Sequence, residues 1–127
     1  MESTKQHSFQ GWAGLDAEAC KGNMKFQSFQ PKPFDEDDVD IKVLYCGICG
    51  SDVSALSGEW GPVEGKVQIC GHEIVGEVTR VGSKVENGLM VGSLVGIGAQ
   101  SDSCRECESC LAKEENFCQK QVSLEDA

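Results

Sequence analysis

Basic residues are scarce in this chain of 127 residues, in which 11 lysines and arginines stand against 21 aspartates and glutamates, a net charge of -10. This charge would repel phosphate backbones, because proteins bind nucleic acid through lysines and arginines that displace its counterions. Long apolar runs are also missing: no stretch of about 18 apolar residues could span a bilayer. We therefore expect neither nucleic acid nor a membrane as a partner.

The N-terminal segment MESTKQHSFQ lacks the apolar stretch of a secretory signal, which predicts a cytoplasmic protein. The chain nevertheless has eight cysteines. In a reducing compartment these should remain thiols, so clustered cysteines are expected to bind a metal or to be catalytic rather than to form disulfides.

Alternating apolar residues predict a mostly β fold with short helices. Every second residue from Val39 to Tyr45 is apolar, which is the period of a half-buried strand. Residues 73–82 and 94–98 also have strand character, and glycine-rich turns separate them. Short strands joined by such turns are typical of a barrel or a sandwich. The length fits one domain, residues 1–127, that can bury a core.

A short helix is predicted after the first of these strands. Ser51 or Asp52 could cap its N-terminus, because their side-chain oxygens can accept hydrogen bonds from the first free backbone N–H groups. The helix should run through about Leu56 and end at Gly58.

Four cysteines form one tight group with the spacing C-x2-C-x2-C-x7-C: Cys104, Cys107, Cys110 and Cys118. Two-residue gaps let a turning backbone present successive sulfurs to one ion, and four thiolates complete the tetrahedron of structural zinc. An iron–sulfur cluster is the alternative, but the ferredoxin run that begins in this way closes with x3-Cys-Pro, whereas here seven residues intervene and Gln119 follows. The spacing favours a closed zinc site in a lobe at about residues 101–120.

Cys49 and His72 are a second pair of candidate zinc ligands. A catalytic zinc has three protein ligands and one open position, so the pair alone is incomplete. An isolated histidine beside a strand is more often structural. Cys46 and Cys49 also match the redox motif C-x-x-C, although that motif needs a helix starting at the first cysteine, and here the helix signal follows the second.

The segments CGICGSD, GHEIVGEV and VGIGAQ, followed by the four-cysteine lobe, resemble the zinc-dependent medium-chain alcohol dehydrogenases, specifically the cinnamyl-alcohol-dehydrogenase-like, NADP-dependent branch. The resemblance extends from about Phe9 to Lys120 and implies a GroES-like, partly open β-barrel with a zinc-binding lobe. It also implies an oxidoreductase that interconverts primary alcohols and aldehydes with NADP(H). In such an enzyme zinc is a Lewis acid that lowers the pKa of the alcohol.

The resemblance also assigns roles to single residues. Cys49 and His72 match the ligands of the catalytic zinc, and Glu73 matches the carboxylate beside that ion. Ser51 matches the hydroxyl that takes the proton of the substrate alcohol, and Asp52 the carboxylate that orients the zinc-bound histidine. The other matches are the substrate-cleft aromatic residue Trp60 and the structural-zinc ligands Cys104, Cys107, Cys110 and Cys118.

Two parts of the family pattern do not occur before Ala127: the Rossmann domain with its glycine-rich turn, and the third cysteine of the catalytic zinc site. We therefore expect an incomplete N-terminal domain that binds zinc but does not turn over alcohols alone. NADP is implied by the resemblance only, and a homodimer is expected only for a full-length form. The alternatives are a non-enzymatic zinc module and a thiol redox protein that uses Cys46 and Cys49.

Overall fold

Strands predominate over short helices in the computed structural model, which describes residues 9–63, 65 and 67–123. The strands are β1 (Phe9–Gly14), β2 (Lys25–Phe29), β3 (Val39–Gly47), β4 (Gln68–Ile69), β5 (Glu73–Val81), β6 (Leu94–Ile97), β7 (Gln100–Asp102) and β8 (Val122–Ser123). The prediction of a mostly β chain with short helices is confirmed. Residues 1–8, where the sequence predicts no secretory signal, lie outside the described residues.

The helices are α1 (Gly50–Ser57), α2 (Glu108–Leu111) and two 3-10 segments, Ala17–Lys21 and Glu115–Phe117. None of the helices in the described ranges is long and apolar enough to cross a membrane. The chain divides into two compact units: the first contains residues 1–33 and 50–70, and the second contains residues 34–49 and 71–127.

The first unit is built on an antiparallel sheet with the strand order β2-β1-β4. Trp12 on β1 pairs with Phe26 on β2, and their rings meet edge to face at 5.6 Å between centroids. The 3-10 segment Ala17–Lys21 packs against α1, and its Ala19 is buried, as is Leu56 of α1. This small apolar core holds α1 against the 3-10 segment.

Helix α1 begins at least two residues earlier than the sequence predicts. It starts at Gly50, so Ser51 and Asp52 lie in its first turn, and the prediction that one of them caps the helix is wrong. A capping residue precedes the first helical residue, whereas Ser51 and Asp52 both follow it. The predicted end is confirmed, because Gly58 has left-handed backbone (φ 80°) and its N–H donates to the Ala55 carbonyl.

The second unit contains an antiparallel sheet with the order β3-β5-β6. The strands predicted at residues 39–45, 73–82 and 94–98 are confirmed with small differences in their bounds. The central strand β5 carries Val78, which is completely buried. Because β3 and β5 are antiparallel, the end of β3 lies beside the start of β5, and Gly47 is the ladder partner of Glu73.

The cysteine-rich segment lies in the same unit and is closed at its base by a two-stranded ladder. Strand β7 pairs with β8 in antiparallel fashion, which brings together the two ends of the segment. The side chain of Gln100 donates to the backbone carbonyl of Glu115, and Ser101 donates to the carbonyl of Val122. The lobe predicted at about residues 101–120 lies between these strands.

Candidate metal centres

The sulfur atoms of the four-cysteine group converge on one point. Cys104 and Cys118 have their sulfurs 3.5 Å apart, Cys107 and Cys110 also 3.5 Å, and Cys104 and Cys110 3.9 Å. All four sulfurs lie within 4.8 Å of one another, and all four cysteines are free thiols. A tetrahedral zinc with Zn–S bonds of about 2.3 Å would hold its sulfurs about 3.8 Å apart. The group therefore fits a zinc ion with four thiolate ligands.

Local backbone geometry directs N–H groups toward these sulfurs. The Cys107 N–H donates to the Cys104 sulfur at 3.3 Å, and the N–H groups of Cys104 and Lys120 donate to the Cys118 sulfur at 3.5 and 3.3 Å. Arg105, between the first two cysteines, has left-handed backbone with φ 58°, which makes the turn tight. Donors of this kind stabilise thiolates, the form in which cysteine binds metal.

The first and second thiols of the group differ in acidity. Hydrogen bonds from the backbone of Glu106 and Cys107 lower the pKa of Cys104 to about 6. For Cys107, a backbone hydrogen bond from Cys110 also lowers the pKa, but the thiols of Cys110 and Cys104, together with burial, raise it to a net value of about 11. In the metal-free chain at neutral pH, Cys104 is therefore deprotonated more readily than Cys107.

A second cluster, which we call the β3–β5 cluster, consists of Cys49, His72 and Glu73. One ligand atom from each lies within 4.8 Å of the others. His72 immediately precedes β5 and is 8% exposed, whereas Glu73 begins β5 and is exposed. Cys49 follows β3 by two residues, so the pairing of Gly47 with Glu73 brings it to the start of β5. Sulfur, nitrogen and carboxylate oxygen are all zinc ligands, and three of them leave one position open.

Two glycines make room around the β3–β5 cluster. Gly71, just before His72, has φ 114°, and a Cβ there would lie 2.6 Å from the Cys46 sulfur. At Gly47 a Cβ would collide with the Glu73 carboxylate. The sequence alone gives no signal for Gly47, because its importance depends on which residue of β5 it faces.

The other residues to which the resemblance assigns a role, Ser51, Asp52 and Trp60, lie in the first unit. Ser51 and Asp52 are on the first turn of α1, where Asp52 is 5% exposed, and Trp60 follows the helix and is 64% exposed. Cys46 is exposed and donates to the Gly47 carbonyl at 3.4 Å, and Cys20 donates to the Ala17 carbonyl at 3.0 Å. Neither of these two cysteines belongs to a metal-ligand group among the described residues.

Comparison with known proteins places these sites in a family. The family model "Alcohol dehydrogenase GroES-like domain" matches residues 35–124. The chain is 44% identical over 115 residues to the NADP-dependent alcohol dehydrogenase 6 of Saccharomyces cerevisiae, and 45% identical over 112 residues to the 8-hydroxygeraniol dehydrogenase of Catharanthus roseus. These matches cover 91% and 88% of this chain but 31% and 30% of the relatives. The chain thus spans about a third of the length of these relatives.

Solved structures agree with the sequence comparison. A cinnamyl alcohol dehydrogenase of Sorghum bicolor (SbCAD4) superposes with a TM-score of 0.80 at 41% identity, over 92% of this chain and 32% of that one. A cinnamyl alcohol dehydrogenase (CAD) of Helicobacter pylori, solved in complex with NADP(H), gives a TM-score of 0.81 at 34% identity, over 93% and 33%. The sheet β3-β5-β6 and the cysteine-rich segment lie within residues 35–124, which the family model matches. The chain therefore belongs to the alcohol dehydrogenase GroES-like domain family.

Proposed function

We propose that this chain is the zinc-binding part of an NADP-dependent alcohol dehydrogenase that interconverts primary alcohols and aldehydes. The main support is the presence of two different ligand sets, one of four cysteines and one of Cys49, His72 and Glu73. A set of four protein ligands is typical of structural zinc, whereas three protein ligands are typical of catalytic zinc. The names of the relatives, which include NADP-dependent and cinnamyl alcohol dehydrogenases, support the substrate class and the cofactor.

The four-cysteine group would have a structural role. Its ligands would close the coordination shell, leave no place for a substrate and hold the lobe at residues 101–120 rigid. The ladder between β7 and β8 and the N–H groups directed at the sulfurs support this role, because they hold the thiols together within one short segment.

The β3–β5 cluster would be the reaction centre. A zinc ion bound there would polarise the oxygen of the alcohol or aldehyde as a Lewis acid. Ser51 would take the proton of the substrate hydroxyl, and Asp52 would orient His72. The exposed indole of Trp60 would line the substrate cleft.

NADP(H) would be bound by a region that corresponds to the unmatched two-thirds of the relatives. Within the described residues every strand pair is antiparallel, whereas dinucleotide-binding domains are built on a parallel sheet. Hydride transfer requires the nicotinamide to be held within about 3 to 3.5 Å of the reacting carbon. We therefore propose that residues 1–127 belong to one catalytic domain and that they do not oxidise alcohols alone.

A chimera tests the proposed function. The corresponding third of the yeast NADP-dependent alcohol dehydrogenase 6 is replaced by this chain, and NADP-linked oxidation of cinnamyl and simple aliphatic alcohols is measured together with the zinc content. We expect turnover that Cys49→Ala abolishes and that the control Cys20→Ala preserves. A chimera that holds both zinc ions but is inactive would contradict the proposal. The 127-residue chain is assayed in parallel, and turnover by it would contradict the proposed dependence on a further region.

A further inference from the structure

Gly47 leaves a space that the Glu73 side chain fills. The two residues are direct partners in the ladder between β3 and β5. A Cβ added at residue 47 would collide with Oε2 of Glu73, and it would lie 3.1 Å from the Glu73 Cβ. A carboxylate oxygen of the same Glu73 lies within 4.8 Å of the Cys49 sulfur and of a ring nitrogen of His72. The carboxylate thus belongs to the β3–β5 cluster in the position that a side chain at residue 47 would disturb.

We propose that Gly47 is a positioning residue of the β3–β5 cluster, because its missing side chain lets Glu73 become the third protein ligand of the ion bound by Cys49 and His72. This inference rests on the proposed function and adds the feature that decides between two and three protein ligands. Gly47 does not itself bind the metal. It acts only through the place that it leaves for the Glu73 carboxylate.

Substitution of Gly47 should move Glu73 rather than unfold the sheet. The nearest colliding atom is the end of a flexible side chain, which can rotate away, whereas the Glu73 Cβ at 3.1 Å requires the two strands to separate slightly. At Gly76 and Gly82, by contrast, an added Cβ would meet backbone atoms of Lys42 and Glu36, which cannot move aside without breaking the ladder or turn. The backbone at Gly47 belongs to strand β3 and not to the left-handed conformation that requires glycine. The backbone conformation of residue 47 is therefore one that alanine can adopt.

Titration of the full 127-residue chain with cobalt(II) tests the inference, because the visible spectrum of cobalt changes when a carboxylate ligand is replaced by water. We expect the wild-type chain to bind two ions. Gly47→Ala should weaken binding of the ion in the β3–β5 cluster by roughly 10- to 100-fold, the loss typical of disturbed ligand orientation. Glu73→Ala removes the ligand itself and should weaken binding at least as much, and the two variants should give the same spectrum. The ion of the four-cysteine group is the internal control and should keep its affinity.

Gly96→Ala is the matched control variant. Gly96 lies on β6 of the same sheet, and a Cβ there would come no nearer than 3.9 Å to the Ile74 carbonyl oxygen. Both ions should bind to this variant as they do to the wild-type chain. A loss equal to that of Gly47→Ala would overturn the inference, because it would show that any added methyl group in the sheet has the same effect.

The double variant Gly47→Ala/Glu73→Ala separates positioning from a general effect on the sheet. We expect it to bind the ion of the β3–β5 cluster as Glu73→Ala does. A further loss equal to that of Gly47→Ala alone would overturn the inference. Gly47→Ala could lose both ions. In that case, recovery of the four-cysteine ion in the double variant would show that the alanine crowds Glu73 and would support the inference. Failure of the double variant to bind that ion would overturn the inference.

The same titration distinguishes this inference from the proposed function. A wild-type chain that binds only one cobalt ion would overturn both. Two ions in the wild-type chain, with a loss in Glu73→Ala and none in Gly47→Ala, would overturn the inference alone.

Discussion

The sulfur of Cys118 lies 3.5 Å from the sulfur of Cys104, although the two residues are 14 positions apart in the chain. Cys118 is 2% exposed and accepts hydrogen bonds from the backbone N–H groups of Cys104 and Lys120. This contact joins the start of the cysteine-rich segment to its end, and it makes Cys118 the residue that closes the ligand group.

The closing position makes Cys118 sensitive to substitution. Cys118→Ser should release zinc from the four-cysteine group, because a hydroxyl is a poor substitute for a thiolate ligand. The binding of structural zinc contributes about 10 to 16 kcal/mol of folding free energy in small zinc modules. Zinc content is measured after dialysis against a chelator. Cys20→Ser is the control, since Cys20 donates only to the Ala17 carbonyl and should have no effect. Equal zinc retention in the two variants would contradict the structural role of the group.

The two candidate metal centres should lose zinc in a fixed order. The β3–β5 cluster offers three ligands and includes the exposed Glu73, whereas the four-cysteine group offers four thiolates, two of them buried. When a chelator is added, a zinc-sensitive dye should report two phases of zinc release. The faster phase should come from the β3–β5 cluster. Cys49→Ala should remove only the faster phase. Loss of the slower phase in that variant would show that the two centres are not independent.

The acidity of Cys104 predicts the pH dependence of thiol alkylation in the metal-free chain. Its pKa is lowered to about 6, so its thiolate forms as the pH rises through 6, whereas Cys107, with a pKa raised to about 11, stays protonated far above neutrality. Because the thiolate is the nucleophile, Cys104 should be alkylated before Cys107 at pH 7, and the rate of its alkylation should fall below pH 6. Mass mapping after a short iodoacetamide pulse checks this. Zinc should protect both residues, and earlier modification of Cys107 would contradict the predicted acidities.

The interior of the second unit should be sensitive at Val78. This side chain is completely buried on β5, so Val78→Ala should cost about 2 kcal/mol of unfolding free energy from lost apolar contact and the cavity left behind. Val75→Ala on the same strand is the matched control, because Val75 is 47% exposed. It should change stability by no more than about 0.5 kcal/mol. Urea unfolding with zinc present measures both, and equal losses would contradict the assignment of Val78 to the core.

Strands β3, β5 and β6 and helix α1 could be predicted from the sequence, whereas the two-residue strands could not. Period-two alternation identifies β3, because nine residues give enough repeats to distinguish a strand from other patterns. Strands β4 and β8 have two residues each, too few for any periodicity. They exist because partner strands pair with them. The start of α1 lies at least two residues before the predicted one, since Ser51 and Asp52 are residue types that favour the capping position but lie within the helix.

The sequence by itself determines the four-cysteine group. Its ligands occupy fifteen consecutive residues, so tight turns are enough to bring the sulfurs together, and the spacing predicts both the ligands and the metal. Only the tertiary structure decides the β3–β5 cluster. Cys49 is separated from His72 and Glu73 by more than twenty residues, and they meet because the end of β3 pairs with the start of β5. That register depends on strand pairing and on two irregularities in the ladder between β3 and β5, which no local pattern specifies. The register alone places Gly47 opposite Glu73.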